Sequence, residues 1–541
     1  MAFRSKRRRT ARPARIALLA GLNLAAGWVL WSLLGSDASS EAVRAAASVE
    51  VAPTPPPPPP PSVLEGSRGA ALEHDLKAIV ARWMGRVEKL SAGRLHADEV
   101  RVCWHVRELG RGDAAAVGSQ ADRSVRPASN MKLITTAAAL VLLGPDWNFD
   151  TAFEAGGPIR DGVLRGDLVV RAAGDPLFDP DAGGEVADLL EPAVRSLGRG
   201  GAGLRAIAGD LVLDERSFPT PGPGPEWPGE SQRWAEYCAL AGGFSANRGA
   251  LTATVFPGEV GGPAHVHVAP RNHGLPDNLG VRTEAKGPLT IQMHARSSGV
   301  LVKGAIPRNV SSWSDSMAHP DPVELFGNVL VGALADGGIV LQGRVRRERD
   351  APGGPVIAHL RSPLVRALRP INTDSTNAVA DQVFLATGLA AMGEGSREAA
   401  GRATAKALRE LGVSSDGLVQ VDGSGLSRAN RVTARQVTAL LDAVLSGGGE
   451  TAQLYVDSLA LAGVSGTLEK RMRESPALGR VRAKTGFIGG TSALSGLARA
   501  QDETLLVFSI LVEYDPTDGM NTRCFKPMQD EMCARLVEAA P

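Results

Sequence analysis

Pro127-Ala128-Ser129-Asn130-Met131-Lys132-Leu133 opens an apolar stretch that runs on to Leu143. Such a stretch reads as a buried helix, with Ser129 and Lys132 in its first turn. Residues three apart on a helix share a face, so the amine can reach the hydroxyl. A free serine hydroxyl is a poor nucleophile and needs an adjacent base. Lysine is a base only when neutral, and burial or a neighbouring cation lowers its pKa. The helix N-terminus adds free N–H groups for a developing oxyanion. Ser-x-x-Lys arises often by chance, so the turn carries meaning only with partners elsewhere.

Two partners are present. Ser375-Thr376-Asn377 lies within Asn372-Thr373-Asp374-Ser375-Thr376-Asn377. Its hydroxyl suits proton relay to a leaving amine, and its amide suits a substrate carbonyl; alone, it is a polar helix start. Lys484-Thr485-Gly486 precedes a strand pair near the C-terminus. A lysine there would lower the pKa of Lys132 and attract a carboxylate, and the glycine permits close approach of a substrate backbone. The three motifs together, in this order, mark penicillin-binding proteins and class A β-lactamases.

Spacing separates the subfamilies. Ser129 and Ser375 stand 246 residues apart, far more than a compact class A β-lactamase allows. Further segments agree: Gly166-Asp167-Leu168 with Gly174-Asp175-Pro176, Tyr237-Cys238-Ala239 through Ser245-Ala246-Asn247, Asp422-Gly423-Ser424-Gly425-Leu426-Ser427-Arg428, and 463–468. With these the chain resembles the D-alanyl-D-alanine carboxypeptidase/endopeptidase family, the class C low-molecular-mass penicillin-binding proteins of peptidase family S13. The resemblance covers about 70–535. It implies an α+β fold: a penicillin-binding, serine β-lactamase-like transpeptidase domain, an antiparallel sheet flanked by helices, with two inserted, mainly β domains. It implies Ser129 as acyl-enzyme nucleophile, Lys132 as its base, and Ser375 and Asn377 lining the cleft. Lys484 and Thr485 would hold the substrate's terminal carboxylate, beside Gly486. The N–H groups of Ser129 and Phe487 would form the oxyanion hole. Phe487 departs from the family, which has Ser or Thr there, and removes a hydroxyl from the carboxylate site. The substrates implied are peptidoglycan stem peptides, with β-lactams as covalent inhibitors. A β-lactamase-like hydrolase and a catalytically impaired penicillin-binding protein are the alternatives.

The chain has 541 residues, enough for several domains. Of 59 basic residues seven fall within 1–15, where there is no acid, so the remainder carries 52 against 58 acids, a net of −6. A mildly acidic body gives no reason to expect nucleic-acid binding. The basic segment 1–15 precedes an uncharged apolar run, 16–34, long enough as a helix to span a bilayer. It reads as a signal anchor in the inner membrane with 1–15 cytoplasmic, or as a signal peptide; both place the body outside the cytoplasm, in the periplasm. Residues 35–68 hold the run 55–61 of consecutive prolines, a semi-rigid linker. The expected catalytic domain comprises 69–155 and 355–541. One insert would comprise 156–200 and 276–354, the other 201–275.

Apolar positions from Leu72 to Leu90 recur at helical spacing over 71–91. Val100, Val102, Trp104 and Val106 alternate as in a half-buried strand. Between 155 and 355 short strands alternate with Gly/Pro/Asp turns, and 216–230 reads as a loop. Helices are expected over 376–390, 397–411 and 522–538, and strands over 491–499 and 503–512. Cys103, Cys238, Cys524 and Cys533 permit three full disulfide pairings. No Cys-x-x-Cys occurs, and neither metal nor cofactor is expected. His265 and His267 alternate on a strand and read as a solvated face.

Overall fold

The computed structural model describes residues 64, 66–176 and 184–539. The expected basic segment 1–15, the span 16–34 and the proline run lie outside them. Among the described residues no helix is long and apolar enough to cross a membrane.

Helix Gly66–Met84 begins inside the stretch expected to be linker, and Val87–Ser91 completes the helical segment. Leu72, Leu76 and Ile79 are buried in one core with Met528, Met532 and Leu536 of the C-terminal helix Lys526–Val537. That helix pair covers one face of a six-stranded sheet. Its order is Ala460–Leu461, Val481–Ile488, Thr491–Arg499, Leu505–Glu513, Arg101–Glu108 and Ala116–Ser119, every pair antiparallel. Helices Met131–Leu143, Val365–Asn372, Asn377–Met392, Ala434–Ser446 and Gly449–Ser458 share a second core, to which the sheet contributes Cys103, Ala493, Val507 and Leu511.

Arg101–Glu108 therefore differs from the half-buried strand read from its alternation. Every residue after Arg101 is buried, with Val102, Trp104 and Val106 in the first core and Cys103 in the second. Helices on both sides exclude water from both faces. Lys484-Thr485-Gly486 lies within strand Val481–Ile488 rather than ahead of it. Ala460–Leu461 pairs only with Ala483 and Arg482, so among the described residues no strand lies beyond 484–488 on that side.

The insert has its own core. A mixed five-stranded sheet runs Val345–Glu348, Leu211–Asp214, Leu168–Arg171, Asn148–Ala155, Val356–Pro363. Two three-stranded sheets hold His265–Ala269, Ala250–Phe256, Trp313–Ala318 and Asp277–Glu284, Gly299–Pro307, Gln292–Arg296. Strand pairing thus draws boundaries other than those read from sequence. Leu211–Asp214, expected with 201–275, pairs with Leu168–Arg171 and Val345–Glu348. Trp313–Ala318, expected with 276–354, pairs with Ala250–Phe256. Asn148–Ala155 and Val356–Pro363, expected at the margins of the catalytic domain, lie in the insert's main sheet. The insert also carries two helices, Val186–Leu197 and Pro322–Asp336, where turns and strands were expected. All four cysteines are buried free thiols.

Candidate active site

Ser129 sits in a single 3-10 turn, Ala128–Asn130, that feeds helix Met131–Leu143. Ala128 is left-handed, at φ +47°. A non-glycine residue there costs about 1–3 kcal/mol and persists only when its surroundings hold it. Asn130 Nδ2 donates to Ser495 Oγ at 2.8 Å, and Ser495 Oγ lies 2.9 Å from Ser509 Oγ, which ties the turn to the sheet.

Lys132, the next turn residue inward, is wholly buried. Its Nζ lies 2.6 Å from Asn377 Oδ1, 2.6 Å from the Ser424 carbonyl oxygen and 3.1 Å from Ser129 Oγ. A neutral amine has two N–H bonds and one lone pair. Two carbonyl oxygens take the N–H bonds, which leaves the lone pair for the Ser129 hydroxyl. Burial pushes the Lys132 amine down to about 8, against the opposing pull of Asp381, Asp422 and Glu236. Desolvation is thus the leading cause.

Ser375 lies between helices Val365–Asn372 and Asn377–Met392, left-handed at φ +68°. Neither Ser375 nor Thr376 caps the following helix with its side chain. The Ser375 hydroxyl is instead turned to Lys484, whose Nζ donates to it at 2.8 Å and to the Thr485 carbonyl at 2.8 Å. Lys484 is wholly buried; desolvation first, then the Lys132 charge, holds its amine well below the ordinary lysine value, against Asp374. Asn377 presents Oδ1 to Lys132 and donates from Nδ2 to the Tyr237 carbonyl at 2.8 Å. One amide side chain therefore links Lys132 to the insert.

Gly486 stands where strand and nucleophile turn meet. A Cβ there would lie 3.0 Å from the Pro127 carbonyl oxygen and 3.2 Å from the Ser129 nitrogen. The strand's alternation sends Lys484 and Gly486 to one face and Thr485 and Phe487 to the other. A cleft of about 710 Å³ opens here, lined by Ser129, Ser375, Asn377, Trp227, Tyr237 and Phe487 among others. Phe487 is 59% exposed at its rim.

Of the residues picked from sequence, Ser129, Ser375, Asn377 and Phe487 line one cleft, Lys132 and Lys484 are hydrogen-bonded to Ser129 and Ser375 behind it, Gly486 packs against the Ser129 turn, and Thr485 is not among the lining residues; three further features escaped the sequence. Trp227, in the loop 216–230, lines the cleft and donates its indole N–H to Asp422 Oδ2 at 2.8 Å. The 422–427 loop, read only as a family signature, supplies the Ser424 carbonyl to Lys132. Gly425 brings this loop against the Ser129 turn: it has φ +81°, and a Cβ would fall 1.8 Å from the Ala128 carbonyl oxygen. The third is Asp381, wholly buried beside Lys132.

A serine hydroxyl facing a desolvated lysine, under a second lysine and a strand edge, defines a serine acyl-transfer enzyme of the penicillin-binding, β-lactamase-like class. Residues 91–531 match the D-Ala-D-Ala carboxypeptidase 3 (S13) family, and the chain belongs to that family of serine-type carboxypeptidases. It is 33% identical over 434 residues to a D-alanyl-D-alanine carboxypeptidase of Actinomadura sp. (strain R39), covering 76% of this chain and 77% of that one. It is 26% identical over 410 residues to the D-alanyl-D-alanine carboxypeptidase DacB of Haemophilus influenzae, covering 72% and 81%. The crystal structure of penicillin binding protein 4 (dacB) from Haemophilus influenzae has the same fold, with a TM-score of 0.67 at 21% identity, covering 84% of this chain and 98% of that one.

The contact at Gly425 gives a direct check. Gly425→Ala must displace the Ala128 carbonyl and with it Ser129; a misplacement near 1 Å costs about a hundredfold in rate. Acylation by a chromogenic β-lactam is expected to slow by that order, with the far-ultraviolet circular dichroism unchanged.

Proposed function

We propose that this chain releases the terminal D-alanine of peptidoglycan stem peptides, and opens peptide cross-links by the same chemistry, through an acyl-enzyme on Ser129. The observation that carries the reading is the buried Lys132 amine, held by two carbonyl oxygens with its third direction on Ser129 Oγ. Ser129 Oγ attacks the carbonyl carbon of the penultimate D-alanine as its proton passes to Lys132 Nζ. The N–H groups of Ser129 and Phe487 face the oxyanion. The C–N bond then breaks as the proton held by Lys132 is relayed through the Ser375 hydroxyl, backed by Lys484, to the leaving amine, which returns Lys132 to its neutral form and Ser375 to its hydroxyl. Water then attacks the ester carbonyl as its proton passes to Lys132, and Lys132 returns that proton to Ser129 Oγ as the acyl C–O bond breaks. Lys484 and Thr485 hold the substrate carboxylate, Asn377 the acyl-side amide, and Gly486 admits the peptide to the open strand edge 484–488. No step calls for a metal or cofactor. β-Lactams would acylate Ser129 in the same way and be lost slowly.

The roles divide between the sheet-and-helix body and the insert, which supplies Trp227 and Tyr237 to the cleft wall. The work is extracytoplasmic, where peptidoglycan lies; the basic and apolar N-terminal segments favour delivery across, or anchoring in, the cytoplasmic membrane.

Intact-mass measurement after benzylpenicillin treatment tests the reading. One covalent adduct mapping to Ser129, absent in Ser129→Ala, is expected together with D-alanine release from a stem pentapeptide. A protein that takes no adduct and releases no D-alanine contradicts it, and a protein that turns over β-lactams rapidly is a β-lactamase instead.

Phe487 makes a second outcome specific to this chain. Thr485 and Phe487 share a face, so the missing hydroxyl belongs beside the substrate carboxylate. A hydrogen bond to a charged group contributes about 1.5–3 kcal/mol. Phe487→Thr is expected to raise kcat/KM for D-alanine release roughly tenfold or more, read with the stem pentapeptide.

A further inference from the structure

Asp381 takes no part in the steps above, yet it stands beside the base. It lies one turn beyond Asn377 on the same face of helix Asn377–Met392. Its Oδ1 accepts from the N–H groups of Gly423 at 2.7 Å and Ser424 at 2.9 Å. Its Oδ2 is buried and has no hydrogen-bond partner among the described residues. The carbonyl of Ser424 is the one that accepts from Lys132 Nζ. We propose that Asp381 is the positioning residue of the Lys132 base: it fixes the Ser424 segment that orients the amine, and its carboxylate sets how readily that amine takes the Ser129 proton. The inference rests on the assignment of Lys132 as base.

The neighbouring acid on the loop does a different job. Asp422 is saturated: Oδ1 accepts from Gly425 N–H and Asn430 Nδ2, both at 2.8 Å, and Oδ2 from Trp227 Nε1 at 2.8 Å and Ser427 N–H at 2.7 Å. It shapes the loop and holds the far side of the Ser424–Gly425 peptide. Asp381 Oδ2, by contrast, is buried and accepts no hydrogen bond from any described residue. Burial raises its carboxyl to about 7; the Asp422 charge acts the same way, while Arg397, on the helix packed behind, and Lys132 oppose it. The charged groups around Lys132 are Asp381, Asp422, Glu236 from the insert, and Lys484 from the strand. Asp381 and Lys132 thus exchange charge in adjoining pH ranges and titrate as a pair. When the Ser129 O–H bond breaks, an ammonium forms at Lys132 in a dry site. An ionised Asp381 offsets that charge as it appears. Removing the anion leaves a weaker base, one that loses its proton at lower pH.

The experiment is the pH profile of acylation by a chromogenic β-lactam, followed by stopped flow. Asp381→Asn keeps an oxygen for the Gly423 and Ser424 N–H groups and removes the charge. Its acid limb is expected to move to lower pH by about one unit, with an alkaline plateau ~3-fold lower. Asp381→Glu keeps the charge and disturbs the loop; its plateau is expected to fall while its acid limb stays within about 0.3 of the wild type. An Asn variant with an unmoved limb overturns the proposal, whatever its plateau. So does a Glu variant whose limb moves down by a full unit, a result that stands even if the Asn variant fails to fold. Failure of the underlying reading looks different: Lys132→Ala would then acylate at the wild-type rate.

Discussion

One amine kept out of water organises this molecule. Burying a lysine as an ammonium costs several kcal/mol, and that cost brings the Lys132 amine down to about 8, within reach of its neutral form at mildly alkaline pH. Three stretches distant along the chain meet at its nitrogen: the Ser129 turn, the Asn377 amide and the Ser424 carbonyl. The approach is tight enough that a side chain at Gly425 would collide with the Ala128 carbonyl and one at Gly486 would crowd the Pro127 carbonyl and the Ser129 nitrogen. The left-handed Ala128 and Ser375 are held in place by this packing, and both border the reacting groups.

The surrounding architecture follows from the need to keep that nitrogen dry while leaving Ser129 half open. The central strand Arg101–Glu108 is covered on both faces, so the sheet is a rigid floor. Strand Val481–Ile488 sits near the end of the sheet, with no strand outside its 484–488 stretch among the described residues, and this edge borders the cleft. The 245 residues between Ser129 and Ser375 are not a detached appendage. They return to the cleft through Trp227 and Tyr237, and the Asn377 side chain joins the Tyr237 backbone to the base.

The grouping of the motif residues was legible because their spacing is local. Ser129 and Lys132 need only one helical turn to meet, and Lys484 through Phe487 need only strand alternation. Family likeness joined the three motifs across long gaps. What sequence concealed depends on distant pairing. Asp381 reads as one polar residue in an Ala- and Val-rich helix, and Trp227 as an aromatic in a Pro/Gly loop; their places are set by the 422–427 loop. Sheet partners decide the insert's boundaries, so Leu211–Asp214 and Trp313–Ala318 fall elsewhere than composition placed them. Pro192 masks helix Val186–Leu197, although Val186, Leu190, Ala193, Val194 and Leu197 bury one stripe. The start of helix Pro322–Asp336 was readable: Asp321 caps Val323 and Glu324, and Pro322 follows it. Arg101–Glu108 shows alternation of another kind, between two cores rather than between core and water.

The central claim is that Lys132 rests as an uncharged amine at mildly alkaline pH. It is tested most directly by nuclear magnetic resonance of lysine-selectively labelled protein, with the Lys132 signal assigned by its loss in Lys132→Ala. The account predicts that the Lys132 side-chain carbon next to the amine titrates with a midpoint near 8, far from the exposed lysines. A Lys132 that stays protonated until the pH at which ordinary lysines titrate would contradict it.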